Sequence, residues 1–545
     1  MDFNLADVYE AVAEAIPDND AIIWGERRWS YRELDERANA LANVLHGAGH
    51  GAHGSRQGLG GHESHQDHLA IYLYNGNEYL ESMLGAFKAR VAPFNVNYRY
   101  VEEELLYLLD SCRASAIVFD GRFADTLAAV LPKLPELRTL IQVGDGPLLD
   151  GAIAYEDVLV TASTLPPAVQ RSPDDLYILC TGGTTGMPKG VLWRQADIFM
   201  GSMGGRDLST GTEKESLDEI VDAAKNSGGA KVLPAPPFMH GAAQWVAFSG
   251  FNGGSSIVIQ DDVVRLDPAD VWRAVDREGV NVMLIVGDAF GRPLVEELET
   301  GDHDGSSLLA IVSGGAPLNS TLKDRFLAAL PSVMILDAVG ASETGSQMSH
   351  VSAAGAKSST GRFTPGPSAT VVSADLSTVL EPGHEGDGWL AQKGRVPLGY
   401  LGDADKTERT FPVIGGTRYA VPGDRARLTA EGEIELFGRD SVTINSGGEK
   451  IFAEEVEQAL AHHPDVFDVV VAGRPSEKWG NEVIAIVQLR DGANPDEQAL
   501  RDEAATHVAR YKLPKAFVFV DSVVRSPAGK ADYRWAKEQA VSAAG

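Results

Sequence analysis

The spacing of apolar and polar residues changes along the chain and predicts where strands and helices lie. Short apolar runs at 69–74 and 116–119 are typical of buried strands. At 77–90 and 101–111, apolar residues recur every three or four positions, as they do on the buried face of a helix. Alternation of strand and helix in this way predicts parallel sheets covered by helices on both faces.

The same alternation continues to about residue 350. It predicts further strands at 22–24, 140–143, 176–180, 231–235, 256–260, 282–286, 308–313 and 333–336, and further helices at 5–16, 31–45, 268–278 and 319–330. Ser30, followed three residues later by Glu33, forms a capping box that marks the start of one of these helices. Residues 205–230 are polar and rich in glycine, and we expect them to form a mobile excursion.

The pattern changes again in the last part of the chain. After about residue 350, glycine, proline and β-branched residues predict a small antiparallel β unit. A hinge is expected at 438–441, with Asp440 or Ser441 as its pivot. Beyond it, the sequence predicts helices at 453–462, 496–509 and from 532, and strands at 466–472, 483–489 and 516–520. We therefore expect an α/β + α+β protein. A large N-terminal domain (1–439) holds helix-covered parallel sheets plus the β unit, and a small mobile C-terminal α+β domain (440–545) follows.

Charge and composition narrow the classes of function. The 545 residues carry a formal net charge of −30, which disfavours nucleic acid and anionic membranes as partners, because both require clustered cations. Cys112 and Cys180 are the only cysteines, which indicates a reducing compartment. The N-terminus lacks the features of a signal peptide, and no apolar run approaches the roughly 18 residues of a membrane helix. We expect a cytoplasmic protein without a transmembrane segment, for which a homodimer is one option.

Residues 46–68 form a polar stretch with six histidines and many glycines. Metal binding is one interpretation of so many histidines. The spacings are loose, however, and no cysteine joins them. The sequence therefore favours a surface loop with solvated histidines.

The stretch around which the chain is organised is 181–190, Thr-Gly-Gly-Thr-Thr-Gly-Met-Pro-Lys-Gly, which follows a predicted strand. Its glycines let the backbone approach an anion closely, its threonines offer hydroxyl donors, and Lys189 adds a positive charge. The stretch should therefore hold polyphosphate, although it differs from the Walker P-loop because no Gly-Lys-Ser/Thr ends it. The alternative is a glycine-rich hairpin.

Later stretches bring small or charged residues to the ends of predicted elements. Glycines at 314–315 allow a flat ring such as adenine to lie against the backbone. Glu343 stands where a carboxylate can hold Mg²⁺ against phosphate oxygens. Asp424 can accept both hydroxyl hydrogens of a ribose, and Arg439 can bridge ribose and phosphate.

His240 and Lys530 are ambiguous when each is taken alone. His240 follows Pro-Pro-Phe-Met at 236–239 and fits either a tunnel-lining or a buried structural histidine. Lys530 stands in a Ser-Pro-Ala-Gly-Lys turn, where most lysines are simply solvated. The roles of His240 and Lys530 can be interpreted only from the order in which all the candidate stretches follow one another along the chain.

That order resembles the adenylate-forming superfamily, which includes acyl-CoA synthetases, the adenylation domains of peptide synthetases and luciferases. The resemblance covers nearly the whole chain. It is carried by 181–190, Ser342-Glu343, Asp424, Arg439 and Lys530. Residues 72–79 and 92–100, with the polar insert before them, are most similar to actinobacterial fatty-acid or steroid side-chain acyl-CoA ligases.

The resemblance implies that the protein uses ATP, Mg²⁺ and CoA, with a small-molecule carboxylic acid as substrate. Contacts to the ATP phosphates are implied for Thr181, Thr184, Thr185, Lys189 and Ser342, and contacts to adenine for Gly314, Gly315 and Ala316. Asp424 and Arg439 would hold ribose, and Gly447, Gly448 and Lys450 would approach pantetheine. The implied catalytic residues are Lys530, Glu343, His240 and Arg439, with Glu343 also the metal ligand.

The implied reaction is activation of a long-chain fatty acid or steroid side-chain carboxylate as acyl-AMP, followed by transfer to CoA. Lys530 would bridge the attacking carboxylate and the α-phosphate, and His240 would stand between the acyl and CoA tunnels. Because Lys530 lies in the small domain, that domain must close for the first step and rotate for the second. Two alternatives stay open: an adenylating enzyme that loads a carrier protein, and an inactive nucleotide- or metal-binding protein.

Overall fold

The computed structural model describes residues 1–183, 186–207, 210–355, 361–439, 442–446, 449–476, 480–508, 510–526 and 529–542. Within these ranges the helices are α1 (Leu5–Ala15), α2 (Tyr31–Gly47), α3 (Asn77–Lys88), α4 (Glu102–Ser111), α5 (Ala124–Val130), α6 (Tyr155–Thr161), α7 (Gln195–Ser202), α8 (Leu217–Lys225), α9 (Gly241–Asn252), α10 (Pro268–Glu278), α11 (Gly287–Thr300), α12 (Ser320–Ala329), α13 (Ala404–Thr410), α14 (Ala453–Leu460), α15 (Glu497–Ala504) and α16 (Tyr533–Ser542). The capping box predicted at Ser30 is confirmed at the start of α2.

The strands of the described residues form three sheets. The first contains β1 (Asp20–Trp24), β2 (Arg27–Ser30), β10 (Lys231–Pro234), β11 (Ser256–Ile259), β12 (Val282–Ile285), β13 (Ala310–Gly314), β14 (Met334–Ala341), β15 (Gly345–Ser352), β16 (Arg362–Pro365), β17 (Ala369–Val372), β18 (Gly388–Lys393), β20 (Val413–Ile414), β21 (Thr417–Ala420), β22 (Asp424–Leu428) and β23 (Ile434–Arg439). The second contains β3 (His68–Tyr72), β4 (Ala92–Asn95), β5 (Ala114–Asp120), β6 (Thr139–Val143), β7 (Ala152–Ala154), β8 (Leu176–Gly183), β9 (Gly186–Arg194) and β19 (Gly399–Tyr400). The third contains β24 (Thr443–Ser446), β25 (Glu449–Phe452), β26 (Val466–Ser476), β27 (Gly480–Leu489) and β28 (Ala516–Phe519).

Parallel pairing dominates where strands alternate with helices. In the first sheet the order β1-β11-β10-β12-β13-β14 is parallel throughout. In the second sheet the order β8-β4-β3-β5-β6-β7 is also parallel. Strands such as β3 and β11 are buried along their whole length, as expected for a sheet covered on both faces.

Antiparallel pairing takes over from β14 onwards. Strands β14, β15, β16, β23 and β22 pair in that order. Those after about residue 350, together with β17, β18, β20 and β21, form the predicted small β unit. The C-terminal sheet packs α14 and α16 against β26 and has apolar clusters of its own. The predicted fold class, α/β plus α+β, is therefore confirmed.

Two local expectations need correction. The segment 205–230, expected to be a mobile excursion, contains α8, which buries Ile220 and Ala224. The histidines of 46–68 are not all solvated: His50, His65 and His68 are buried. His68 is the first residue of the buried strand β3, and the ring of His50 is held by the hydroxyl groups of Thr139 and Ser115. In the described part of the chain, no group of three potential ligand side chains could hold a metal ion. No described helix is long and apolar enough to cross a membrane.

Candidate active site

The glycine-rich stretch 181–190 lies at the turn between two antiparallel strands, β8 and β9. Thr181 pairs with Lys189 across the two strands, and Gly183 pairs with Gly186. The hairpin, which the sequence disfavoured, therefore fits this backbone, and it does not exclude phosphate binding. Thr184 and Thr185 lie outside the described residues.

Lys189 is held by a carboxylate that the sequence did not reveal. Its ammonium group forms an ion pair with Asp403, which lies at the N-terminus of α13. Lys189 and the N–H of Lys406 hold the pKa of Asp403 below its usual value. The two residues meet because β19, just before Asp403, pairs with β9. The phosphate stretch thus has a charged partner about 200 residues later in the chain.

Glu343 stands in the turn between β14 and β15. This turn is tight, since a Cβ atom on Gly340 would lie 2.3 Å from the carbonyl oxygen of Gly345. Tyr400 Oη donates to Glu343 Oε1 over 2.6 Å. Trp193 Nε1 donates to the carbonyl oxygen of Ser342 over 2.8 Å. The turn that carries Ser342 and Glu343 is therefore fixed from β9 and from β19.

The chemistry of this turn fits a magnesium ion. Tyr400 occupies only Oε1 of Glu343, and no residue in the described ranges hydrogen-bonds to Oε2. Mg²⁺ is usually bound by one or two carboxylates together with substrate phosphates, and it keeps several waters. A single half-buried glutamate beside a phosphate stretch is such a donor set.

The residues expected to border adenine and ribose lie at strand ends in two parts of the first sheet. Gly314 pairs with Ala338 at the carboxyl end of β13, and Gly315 follows with φ +83°, which favours glycine. Ligands of open α/β sheets bind at such carboxyl ends of parallel strands. Asp424 pairs directly with Arg439 across the antiparallel strands β22 and β23, although the Arg439 side chain lies outside what is described.

His240 lies at the N-terminus of α9, after a segment held by two buried asparagines. Asn95 Nδ2 donates to the Met239 carbonyl over 2.7 Å, and the N–H of Phe238 donates to Asn75 Oδ1 over 2.6 Å. Burial, together with the positive charges of Lys530 and Arg99, lowers the pKa of His240 to about 3. His240 is thus neutral at physiological pH, and among described residues its Nε2 has no hydrogen-bond partner.

Lys530 belongs to the small domain but reaches the large one. Its charge acts on His240, and a Cβ atom on Gly529 would lie 2.9 Å from Cβ of Ala289 in α11. Arg490 Nη1 and Glu296 Oε1 form a further contact between the domains at 3.1 Å. The structure therefore has the small domain docked with the turn of Lys530 against α11.

The loop of Lys530 is held by a half-buried ion pair. Arg525 binds both oxygens of Asp468 at 2.7 and 2.6 Å, and its Nη1 donates to the carbonyl oxygen of Gly529 over 3.1 Å. The N–H of Ser526 donates to the carbonyl of Lys530 over 2.8 Å. Sequence reasoning missed Arg525 and Asp468, which are 57 residues apart.

Other predicted residues are not tested by the geometry. Gly447 and Gly448, as well as the hinge candidates Asp440 and Ser441, lie outside the described residues. Lys450 is in β25, but its side chain is not described. Their implied roles stay predictions.

Comparison with known proteins agrees with this geometry. Residues 9–401 match the AMP-binding enzyme family and residues 455–530 match the AMP-binding enzyme C-terminal domain. The medium-chain acyl-CoA ligase Mig of Mycobacterium avium is 57% identical, over 99% of this chain and 98% of its own length. The 3-oxocholest-4-en-26-oate–CoA ligase of Rhodococcus rhodochrous is 40% identical, over 99% of this chain and 96% of its own.

Solved structures share the fold. The anthranilate CoA ligase AuaEII in complex with anthranoyl-AMP has a TM-score of 0.82 at 21% identity, covering 100% of this chain and 98% of its own. ATP-bound MatB from Rhodopseudomonas palustris has a TM-score of 0.79 at 23% identity, covering 98% of each chain. The family matches span both parts of the chain, and the chain belongs to the AMP-binding enzyme family.

Proposed function

We propose that this enzyme is an ATP-dependent acyl-CoA ligase that activates a medium-chain fatty acid as acyl-AMP and transfers it to CoA, releasing AMP and pyrophosphate. One observation carries the proposal: in a chain of net charge −30, two predicted lysines act on groups of the candidate site. Lys189 pairs with Asp403, close to the Tyr400 that donates to Glu343, and the charge of Lys530 acts on the neutral His240. Both reactants of an adenylation are anions, so the main requirement is local positive charge together with alignment.

In the first half-reaction, a carboxylate oxygen attacks the α-phosphorus of ATP and pyrophosphate leaves. Lys530 bridges the attacking carboxylate and the α-phosphate, and Lys189 with the 181–190 stretch holds the leaving phosphates. Ser342 contacts the α-phosphate, while Asp424 and Arg439 hold ribose. Glu343 would hold Mg²⁺, which would supply Lewis-acid neutralisation of the phosphate charge.

In the second half-reaction, the CoA thiol loses its proton to solvent, its sulfur attacks the acyl carbonyl, and AMP leaves as the acyl–oxygen bond breaks. His240, being neutral, adds no charge at the boundary between the acyl and CoA tunnels. Lys530 has no part in this step. We therefore propose a boundary near residue 439, about which a small domain (440–545) turns to bring Gly447, Gly448 and Lys450 towards pantetheine. A cytoplasmic location and a homodimer, both expected from the sequence, stay predictions.

The acyl substrate is proposed from the relatives. The relative at 57% identity is named a medium-chain ligase, whereas the one at 40% is named for a steroid side-chain acid. This favours a medium-chain fatty acid over the long-chain or steroid acid expected from the sequence. The steroid carboxylate is kept as the second candidate because of the relative named for it.

The test is CoA-dependent AMP formation with short, medium and long fatty acids and a steroid carboxylate. We expect the highest kcat/KM with medium chains and acyl-CoA as product. A preference for the steroid acid would overturn the substrate, and product formation only with a carrier protein would overturn CoA transfer. Pyrophosphate release independent of any acid would overturn the ligase itself.

A second experiment tests the role of Lys530. Lys530→Ala should slow adenylate formation by about a thousandfold, since electrostatic catalytic groups contribute on this scale. It should leave thioester formation from supplied acyl-adenylate within about twofold. Lys537→Ala, an exposed lysine of α16, is the matched control and should change neither step. Equal slowing of both steps by Lys530→Ala would contradict the assignment.

A further inference from the structure

The segment 398–403 lies between the phosphate hairpin and the histidine-rich insert. On one side, the N–H groups of Leu398 and Leu401 donate to the carbonyls of Leu192 and Gly190, each over 2.8 Å. On the other side, the N–H of Gly402 donates to the His62 carbonyl over 2.8 Å. The backbone of this segment is therefore fixed from both sides.

The insert approaches so closely that only glycine fits. A Cβ atom on Gly61 would lie 2.3 Å from the carbonyl oxygen of Leu398. A Cβ atom on Gly399 would lie 2.7 Å from the carbonyl oxygen of Gly61 and closer still to Thr407. Residues 60–62 thus act as a rigid support behind β19, which gives the histidine-rich insert a role other than metal binding.

Two side chains of the supported segment reach the phosphate and metal residues. Tyr400 donates to Glu343 over 2.6 Å, and Asp403 forms the ion pair with Lys189. Both residues have a second anchor. Asp403 Oδ1 accepts from the N–H of Lys406 over 2.9 Å as the cap of α13. The Tyr400 ring lies under the Lys406 ammonium at 4.0 Å.

We propose that Tyr400 and Asp403 form a clamp that keeps the ATP site ready while it is empty: Tyr400 orients Glu343 for the metal, and Asp403 is a counter-charge that releases Lys189 when the triphosphate enters. The inference rests on the proposed roles of Lys189 and Glu343. Both clamp residues are positioning residues, since each acts through another side chain.

The two halves of the clamp predict opposite effects on binding. Asp403 competes with the ATP phosphates for Lys189 and also repels these phosphates, so loss of the Asp403 charge should tighten ATP binding. Tyr400 donates to one carboxylate oxygen of Glu343 and leaves the second oxygen available, so loss of the Tyr400 hydroxyl should weaken metal binding. If Tyr400 and Asp403 had a merely structural role, loss of either group should weaken the binding of both ATP and the metal.

The chain allows clean variants. Asp403→Asn removes the charge while keeping an oxygen that caps α13. Tyr400→Phe keeps the ring beneath Lys406 while removing the donor. Gly61→Ala tests the support, and Gly146→Ala is its matched control, because nothing lies within 4 Å of a Cβ atom there.

The experiment is equilibrium binding of ATP and Mn²⁺ to each full-length variant without acid or CoA, by calorimetry and by the Mn²⁺ electron paramagnetic resonance signal. Asp403→Asn should lower the ATP Kd about threefold, a modest effect because the pair is partly exposed. Tyr400→Phe should raise the Mn²⁺ Kd of the ATP complex about tenfold, as lost bonds to charged groups do. Gly61→Ala should also raise the Mn²⁺ Kd, whereas Gly146→Ala should leave it unchanged.

The outcomes separate this inference from the proposed function. An unchanged or higher ATP Kd in Asp403→Asn overturns the counter-charge, and an unchanged Mn²⁺ Kd in Tyr400→Phe overturns the orienting role. If wild type binds Mn²⁺ and ATP but forms no acyl-CoA with any acid, the proposed ligase function is overturned. The binding data on the variants then still test the clamp. If wild type does not bind ATP, both are overturned.

Discussion

Replacing Asp468 with asparagine should weaken the hold on the Lys530 loop and slow adenylation selectively. Asp468 accepts two hydrogen bonds from Arg525, whose third bond fixes the carbonyl of Gly529, the residue before Lys530. Asparagine keeps one acceptor, but it turns an N–H group towards the guanidinium. Only the position of the loop, and not the lysine itself, is changed.

The magnitude follows from the geometry. One charge-assisted bond is lost, which costs about 2 kcal/mol. If all of it opposed the docked loop, adenylation would fall about thirtyfold, since 1.36 kcal/mol corresponds to a factor of ten. Because the turn bond from Ser526 to Lys530 remains, we expect about tenfold.

The assay compares the two half-reactions: acid-dependent pyrophosphate exchange for adenylation, and thioester formation from supplied acyl-adenylate. Glu482→Gln is the matched control. The Arg474–Glu482 pair joins β26, the strand of Asp468, to β27, and its side chains are 16% and 21% exposed against 21% and 21% for Arg525–Asp468. Glu482→Gln should lower the thermal unfolding midpoint by a similar amount without slowing adenylation. This role of Asp468 would be refuted if Glu482→Gln slowed adenylation as much as Asp468→Asn does. It would also be refuted if Asp468→Asn slowed both half-reactions equally.

Three other predictions test separate parts of the structure. Gly529→Ala should push the Lys530 loop away from Ala289 and slow adenylation at least tenfold. Gly492→Ala is the control, because Gly492 has a similarly positive φ but open space around it, and this variant should only destabilise the fold. Half-reaction rates and thermal unfolding measure the two effects. Burial lowers the pKa of His68 to about 4 against about 6.5 unfolded, so between these pH values the unfolded chain binds the extra proton and stability rises with pH. His68→Gln should therefore reduce the loss of stability between pH 7 and pH 5 by about 2 kcal/mol, measured by denaturant unfolding. Trp193→Phe removes the indole donor that holds the backbone beside the metal-binding turn, and it should raise the KM for ATP about fivefold in steady-state kinetics.

The fold class was predictable because hydrophobic periodicity is a local signal. Strands such as β3 and β5 and helices such as α3 lie within a few residues of their expected bounds. The same local reasoning failed for α8, because glycine and charge in 205–230 masked an apolar face as narrow as Ile220 and Ala224. Burial of an element depends on what packs over it, and this cannot be read from the element alone.

The site was predictable only where one side chain carries the chemistry. Lys189 and Glu343 stand out because phosphate and metal chemistry requires their groups in a glycine-rich or turn setting. Tyr400, Asp403 and Asp468 carry no such signature. Each acts through a partner that the fold brings close, 57 residues away for Tyr400 and Asp468 and 214 for Asp403.

The pairing of β19 with β9 has a consequence for synthesis on the ribosome. Strand β9 is complete at Arg194, but its outer neighbour β19 begins only at Gly399. While the intervening residues are being made, the phosphate hairpin forms an open sheet edge, which is a template for pairing with other chains. The short strand that later supports the active site therefore also closes this edge, and slow or interrupted translation between residues 194 and 399 prolongs the time in which the edge can pair with other chains.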